Sequence, residues 1–111
     1  MAVTPTTQKT TITDGNKTTV LDAAASATDQ TVVKPCFIVI RSPTEADVNV
    51  DLILDDGTEG EAHTAKLNST NGYTWVAPMG FQWNGTATTL KADPSASVEV
   101  MVIVGYARKT S

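Results

Sequence analysis

Apolar and polar residues alternate with a period of two along much of the chain, the pattern of extended strands that turn one face to a core and the other outward. The clearest case has Val98, Val100, Val102, Val104 and Tyr106 on one face and Glu99, Met101, Ile103, Gly105 and Ala107 on the other. Both faces are largely apolar, so this strand is expected to be central in a sheet or sandwiched. Val48, Val50, Leu52 and Leu54 alternate with Asn49, Asp51 and Ile53. Cys36-Phe37-Ile38-Val39-Ile40 is a continuous apolar run between Pro35 and Ser42-Pro43, a buried-strand signal. Weaker strand signals follow over Glu61 to Leu67, Tyr73 to Val76, Phe81 to Trp83 and Thr86 to Ala92.

Four pairs, Asp14-Gly15, Asp56-Gly57, Asn71-Gly72 and Asn84-Gly85, supply residues that tolerate positive φ where hairpins reverse. Seven or eight short strands with this punctuation predict an all-β fold, an antiparallel β-sandwich of jelly-roll or immunoglobulin-like topology. The first thirty residues read differently. They hold only Met1, Val3, Ile12, Val20 and Leu21 of the 32 apolar side chains larger than alanine. Residues 1–30 are therefore expected to form an extended N-terminal arm and residues 31–111 the sandwich domain. Within the arm, Lys17 to Leu21 can pair as an edge strand and Ala23 to Ala27 can form a helical turn. Val3, Ile12, Val20 and Leu21, with no core of their own, become the expected anchors on neighbouring subunits.

Composition narrows the function classes. At 111 residues the chain suits one domain. Threonine occupies 19 positions and aromatic residues only six, none before Phe37, which favours extended backbone. Acidic residues outnumber basic ones by 12 to 8, so nucleic acid is not an expected partner. No apolar run reaches the roughly 18 residues that span a bilayer, and Met1 to Pro5 has no basic start of a secretion signal; no membrane partner is expected. The single cysteine, Cys36, permits no internal disulfide.

Candidate chemistry is sparse. Cys36 and His63 are the only thiol and imidazole, and nothing in the sequence orients a third member beside them, so no catalytic residue and no enzymatic activity is expected. Seven of the twelve carboxylates lie between Glu45 and Glu61 with no Lys or Arg among them. The loop from Asp55 to Glu61 offers clustered oxygen ligands but matches no EF-hand spacing. It reads as a solvated hairpin loop that protects a sheet edge, with no metal or other cofactor assigned. Tyr73 and Trp75, two apart, and Phe81 and Trp83, two apart, could share one side of a hairpin. Exposed, they would form a platform for a sugar ring or a protein partner; buried, they are core. The Asn-x-Thr/Ser triplets at Asn16, Asn68 and Asn84 are expected by chance in a threonine-rich chain, and the Thr-x-Thr pairs recur at no fixed period.

An acidic, cysteine-poor chain with a threonine- and alanine-rich N-terminal segment, a compact β domain and the closing strand Ala96 to Tyr106 resembles the small β-sandwich virion structural proteins of tailed bacteriophages, above all the capsid decoration or cement proteins. The resemblance implies a non-enzymatic protein that is made in the host cytoplasm and sits on the outer capsid surface. Its partners would be the major capsid protein and other copies of itself, often as a homotrimer. Two other readings are a carbohydrate- or receptor-binding module using the aromatic platform, and a neck or tail component of the same virion.

Overall fold

Among the described residues there are eight strands: β1 (Ala2–Ile12), β2 (Thr18–Asp22), β3 (Gln30–Arg41), β4 (Val48–Asp55), β5 (Glu59–Leu67), β6 (Thr74–Val76), β7 (Thr89–Pro94) and β8 (Val100–Thr110). The computed structural model describes residues 2–22, 30–55, 58–77 and 89–110, with side chains over 6–21, 37–55, 58–60, 63–77 and 89–106. The strands form two four-stranded antiparallel sheets, in the order β1-β8-β3-β6 (sheet A) and β2-β7-β4-β5 (sheet B).

The pairing is nested. β1 lies against β8, β2 against β7, β3 against β6 and β4 against β5, as though one long two-stranded ribbon were folded back on itself. Contacts of β8 with β3 and of β7 with β4 then join these pairs into sheets. Among the described strands, only β4 and β5 are neighbours both in sequence and in a sheet. The other connections among the described residues carry the chain from one sheet to the other.

This alters the meaning of two turn signals. Gly15 (φ 71°) and Gly72 (φ 83°) do take the left-handed conformation, but each sits at a crossing between sheets and not at a hairpin. An Asp-Gly or Asn-Gly pair fixes a tight change of direction; whether the next strand pairs or crosses is decided by where its apolar face finds cover. At Gly15 the corner is also crowded, since a Cβ there would lie 3.0 Å from the backbone carbonyl of Ala96. The Ser97 hydroxyl donates to the Asp14 carbonyl across the same gap at 3.1 Å. Gly57 and Gly85 lie outside the described residues.

Between the sheets lies an apolar cluster, with Ile12, Ile38, Ile40, Val100, Val102 and Val104 from sheet A against Val20, Leu21, Val50, Leu52, Leu67 and Leu90 from sheet B. Residues 2–22 are therefore part of the sandwich, and the expected arm is not what the described residues form. β1 pairs with β8 in unbroken register from Ala2 opposite Thr110 to Ile12 opposite Val100. Threonines tolerate this edge because an edge strand is half-solvated, and Pro5, which has no N–H to give a ladder, is at home in an edge strand. In β2 a bulge at Val20 breaks the alternation, so that Val20 and Leu21 are both buried.

β3 carries a second bulge, between Pro35 and Phe37, with Cys36 as the extra residue. Proline inside a paired strand is accommodated at such irregularities. The backbone of Cys36 is thus placed, while its side chain, expected in the core, lies outside the described residues. So do Ala23 to Ala27.

Candidate interaction surfaces

The four expected anchors separate into two groups. Ile12, Val20 and Leu21 are 2%, 0% and 1% exposed and belong to the core, so they are not free to hold another molecule. Each enters the core at a strand end or a bulge, which is why no local periodicity announced it. Val3 pairs with Lys109 through its backbone, near the end of sheet A farthest from the core; its side chain lies outside the described residues.

The aromatic group is only partly placed. Trp75 is half-buried and packs against the edge of the core. Its ring stacks on His63 with centroids 4.9 Å apart and planes inclined by 26°. His63 comes from β5 at the edge of sheet B and Trp75 from β6 at the edge of sheet A, so the stack closes one side of the sandwich. One face of Trp75 is therefore occupied. Tyr73, also half-buried, donates its hydroxyl to Asp47 Oδ1 at 3.3 Å. Partial burial, followed by the negative charge of Asp47, raises the Tyr73 phenol above its ordinary range. Phe81 and Trp83 lie outside the described residues.

The acidic stretch does not stand alone, because cations reach it from other strands. Lys91 of β7 donates to Asp55 Oδ2 at 2.9 Å and to Glu59 Oε2 at 3.3 Å, and Lys17, from the β1–β2 connection, donates to Glu59 Oε1 at 2.8 Å. Hydrogen bonds from Lys17 and then Lys91 hold the Glu59 carboxyl below its ordinary value. Its own hydrogen bonds, donated to Asp55 and then to Glu59, raise the Lys91 ammonium. Elsewhere on sheet B, Thr64 donates to Asp51 Oδ1 at 2.8 Å, and Asp51 stands in register with Asp93. Among the described residues no three of His, Cys, Asp and Glu gather closely enough to hold a metal ion. Asp56, Gly57 and the side chain of Glu61 are outside the described residues, so the expected loop is seen only at its two ends.

A titration tests this network. Because the folded pKa of Glu59 is depressed, its contribution to stability is present above the unfolded value and is lost as pH falls through the folded one. Replacing Lys91 by Met is expected to bring the Glu59 carboxyl back toward its ordinary midpoint, read by NMR. The difference between wild type and variant should shrink in about 0.5 M salt, because these groups are exposed and screened.

Two further surfaces come from sheet A. The first is its outer face. Ile38, Ile40, Val102 and Val104 point into the core, so the alternate positions point away from it. Across the strands, Lys9, Ile103, Val39 and Val76 form one outward row, and Thr11, Met101, Arg41 and Thr74 the next. Phe37 lies beyond them, opposite Gly105, and its ring covers that glycine so closely that a Cβ on Gly105 would collide with it. Phe37 and Val76 are 44% and 58% exposed, and Val39, Met101 and Ile103 are half-buried. The two apolar faces of β8 gave this surface away in the sequence. β8 is indeed central in its sheet, but its outward side has no second layer over it among the described residues.

The second surface is an overhang. β1, β3 and β8 have 11, 12 and 11 residues, whereas β2, β7, β4 and β5 have 5, 6, 8 and 9. Among the described side chains the last core residue of β8 is Tyr106, and pairing runs on to Thr110 opposite both Ala2 and Gln30. About four residues of a three-stranded ribbon, roughly 14 Å at the usual strand rise, thus run on past the described core. The long dimension of the molecule, 44 Å against 25 and 23 Å, reflects this extension. No protein-family model matches the chain, and no curated protein sequence matches it.

Proposed function

We propose that the chain is a non-enzymatic structural protein of a tailed-bacteriophage virion, a decoration or cement protein that binds the outer surface of the head in several copies and braces the shell. The strand order supports a jelly roll over an immunoglobulin-like sandwich, since the nested pairs β1·β8, β2·β7, β3·β6 and β4·β5 are the wiring of a rolled-up ribbon. Jelly rolls recur among viral capsid proteins and lectins. A fold alone assigns no role, so the reading rests on a site.

The observation that carries it is the ribbon of β1, β3 and β8 beyond Tyr106. A sheet that outruns its covering layer has a surface and strand ends that another chain can cover, and extended backbone is well suited to docking along a neighbouring subunit. Many copies each making such a modest contact would hold a shell together by avidity.

Sedimentation of the full chain with purified phage heads tests this. Wild type is expected to co-sediment to saturation. Val3→Asp, a change in the ribbon far from the core, is expected to lower occupancy at least tenfold while leaving the melting temperature unmoved. Full occupancy by the variant would refute docking through the ribbon. Binding to tails in place of heads would reassign the protein to the neck or tail.

A further inference from the structure

We propose that the surface on which the ribbon docks is acidic, because sheet A is the positive side of a negative chain. The inference rests on the docking role proposed above for the ribbon and adds the chemistry of its partner, a protein surface dense in carboxylates.

The strands of sheet A, β1, β3, β6 and β8, carry five of the eight cations, Lys9, Lys34, Arg41, Arg108 and Lys109, and none of the twelve carboxylates. The net charge of the whole chain is −4, so everything outside those strands sets three cations against all twelve acids. The register gathers three of the five cations in the ribbon. Lys34 stands opposite Ala107, Arg108 opposite Thr4 and Val33, and Lys109 opposite Val3 and Val32. They occupy three consecutive rows, within about 7 Å along the strands. Two of the carboxylates that flank sheet A strands, Asp14 and Glu99, fall at the opposite end, where Ile12 pairs with Val100. Asp29, beside β3 in sequence, lies outside the described residues.

Distance keeps the two signs apart. Sheets in a sandwich stack about 10 Å apart, and at physiological ionic strength charges are screened beyond about 8 Å. A partner approaching sheet A thus meets its cations, and only weakly the acids behind them. Complementary charge of this kind governs orientation and association rate more than affinity.

Between a protein and a nucleic acid, the rows favour the protein. Val3, Val32 and Val33 share them with the cations, and a protein surface offers apolar groups beside its carboxylates, whereas a phosphate backbone does not. A long uniform polyanion would also run past the acidic remainder of the chain and be repelled.

Two measurements on the full chain separate this inference from the virion reading. The first uses carboxymethyl beads at pH 7.5 in about 50 mM salt, with no heads present. A chain of net charge −4 with its signs mixed would stay in solution; wild type is expected to bind and to be released by about 0.5 M salt. Lys109→Glu is expected to lower the bound-to-free ratio at least fivefold. Lys66→Glu, an equal change of charge exposed on sheet B, is expected to leave it unchanged. Wild type that stays unbound, or equal losses in both variants, would overturn the proposal, as would tighter binding to duplex DNA than to polyglutamate at the same salt. The second measurement uses purified heads, where Lys109→Glu and about 0.5 M salt are each expected to lower affinity at least tenfold. Saturating attachment that ignores both would refute the acidic partner and leave the virion reading intact. Binding to beads but not to heads would remove the virion reading and keep the positive face. Lys9→Glu, exposed on sheet A, repeats both tests should Lys109→Glu lower the melting temperature.

Discussion

A chain lacking residues 2–22 is expected to be unfolded at room temperature, without a cooperative thermal transition. The deletion removes β1 and β2, each an edge strand of one sheet, and with them Ile12, Val20 and Leu21 from the core. Burying one side chain of this kind contributes about 1.5–3 kcal/mol, and truncating a buried leucine to alanine costs about 2–5 kcal/mol with its cavity. Three such losses already match a typical total stability of about 5–15 kcal/mol, before the inward faces of β8 and β7 are opened to water. Loss of the near-ultraviolet signal of the two tryptophans would report the collapse. An arm would behave in the opposite way: its removal would leave the melting temperature unchanged, and that result would refute the integration of residues 2–22 into the sandwich.

The second large effect is expected at Val102→Asp. Val102 is fully buried on the inner face of β8, in register with Thr10 on one side and Ile40 on the other. An uncompensated carboxylate there belongs to the small class of substitutions that cost more than about 4 kcal/mol. Burial raises the pKa of the new carboxyl in the folded state above its unfolded value of about 3.9. The penalty is therefore complete above the folded pKa and shrinks as pH falls through it, by about 1.4 kcal/mol for each unit. Urea unfolding of the variant should accordingly show stability rising from neutral pH toward pH 5. A flat or falling profile would mean that the carboxylate has found water or a partner.

These two cases also mark what could be read in the sequence. β3, β4 and β8 were legible because their apolar residues are dense and in phase, as in Val48, Val50 and Leu52, and the edge strand near Lys17 to Leu21 appears as β2. β1 was not legible, because an edge strand rich in threonine is held by its ladder to β8 and needs few apolar side chains. Val20 and Leu21 escaped because a bulge, which alternation does not encode, buries both. The cations that meet the acidic stretch were equally hidden. Lys17 and Lys91 lie far from Glu59 in sequence, and only the partnering of β4 with β7 and the corner before β2 bring them near. The outward apolar residues of β8 were visible from the start, but sequence alone could not say whether another layer of this chain or a second molecule covers them.

The position of β8 has a further consequence, in time. β1 and β3 do not pair with one another; each pairs with β8, and Thr4 must wait for Arg108. While the chain is being synthesised, sheet A has no middle until residues 100–110 have emerged from the ribosome. β1 and β3 wait meanwhile with open edges, the condition in which chains pair wrongly with one another. Assembly of the sandwich is thus a late event, on the millisecond-to-second scale of folds dominated by distant pairings, and its clock is set by β8.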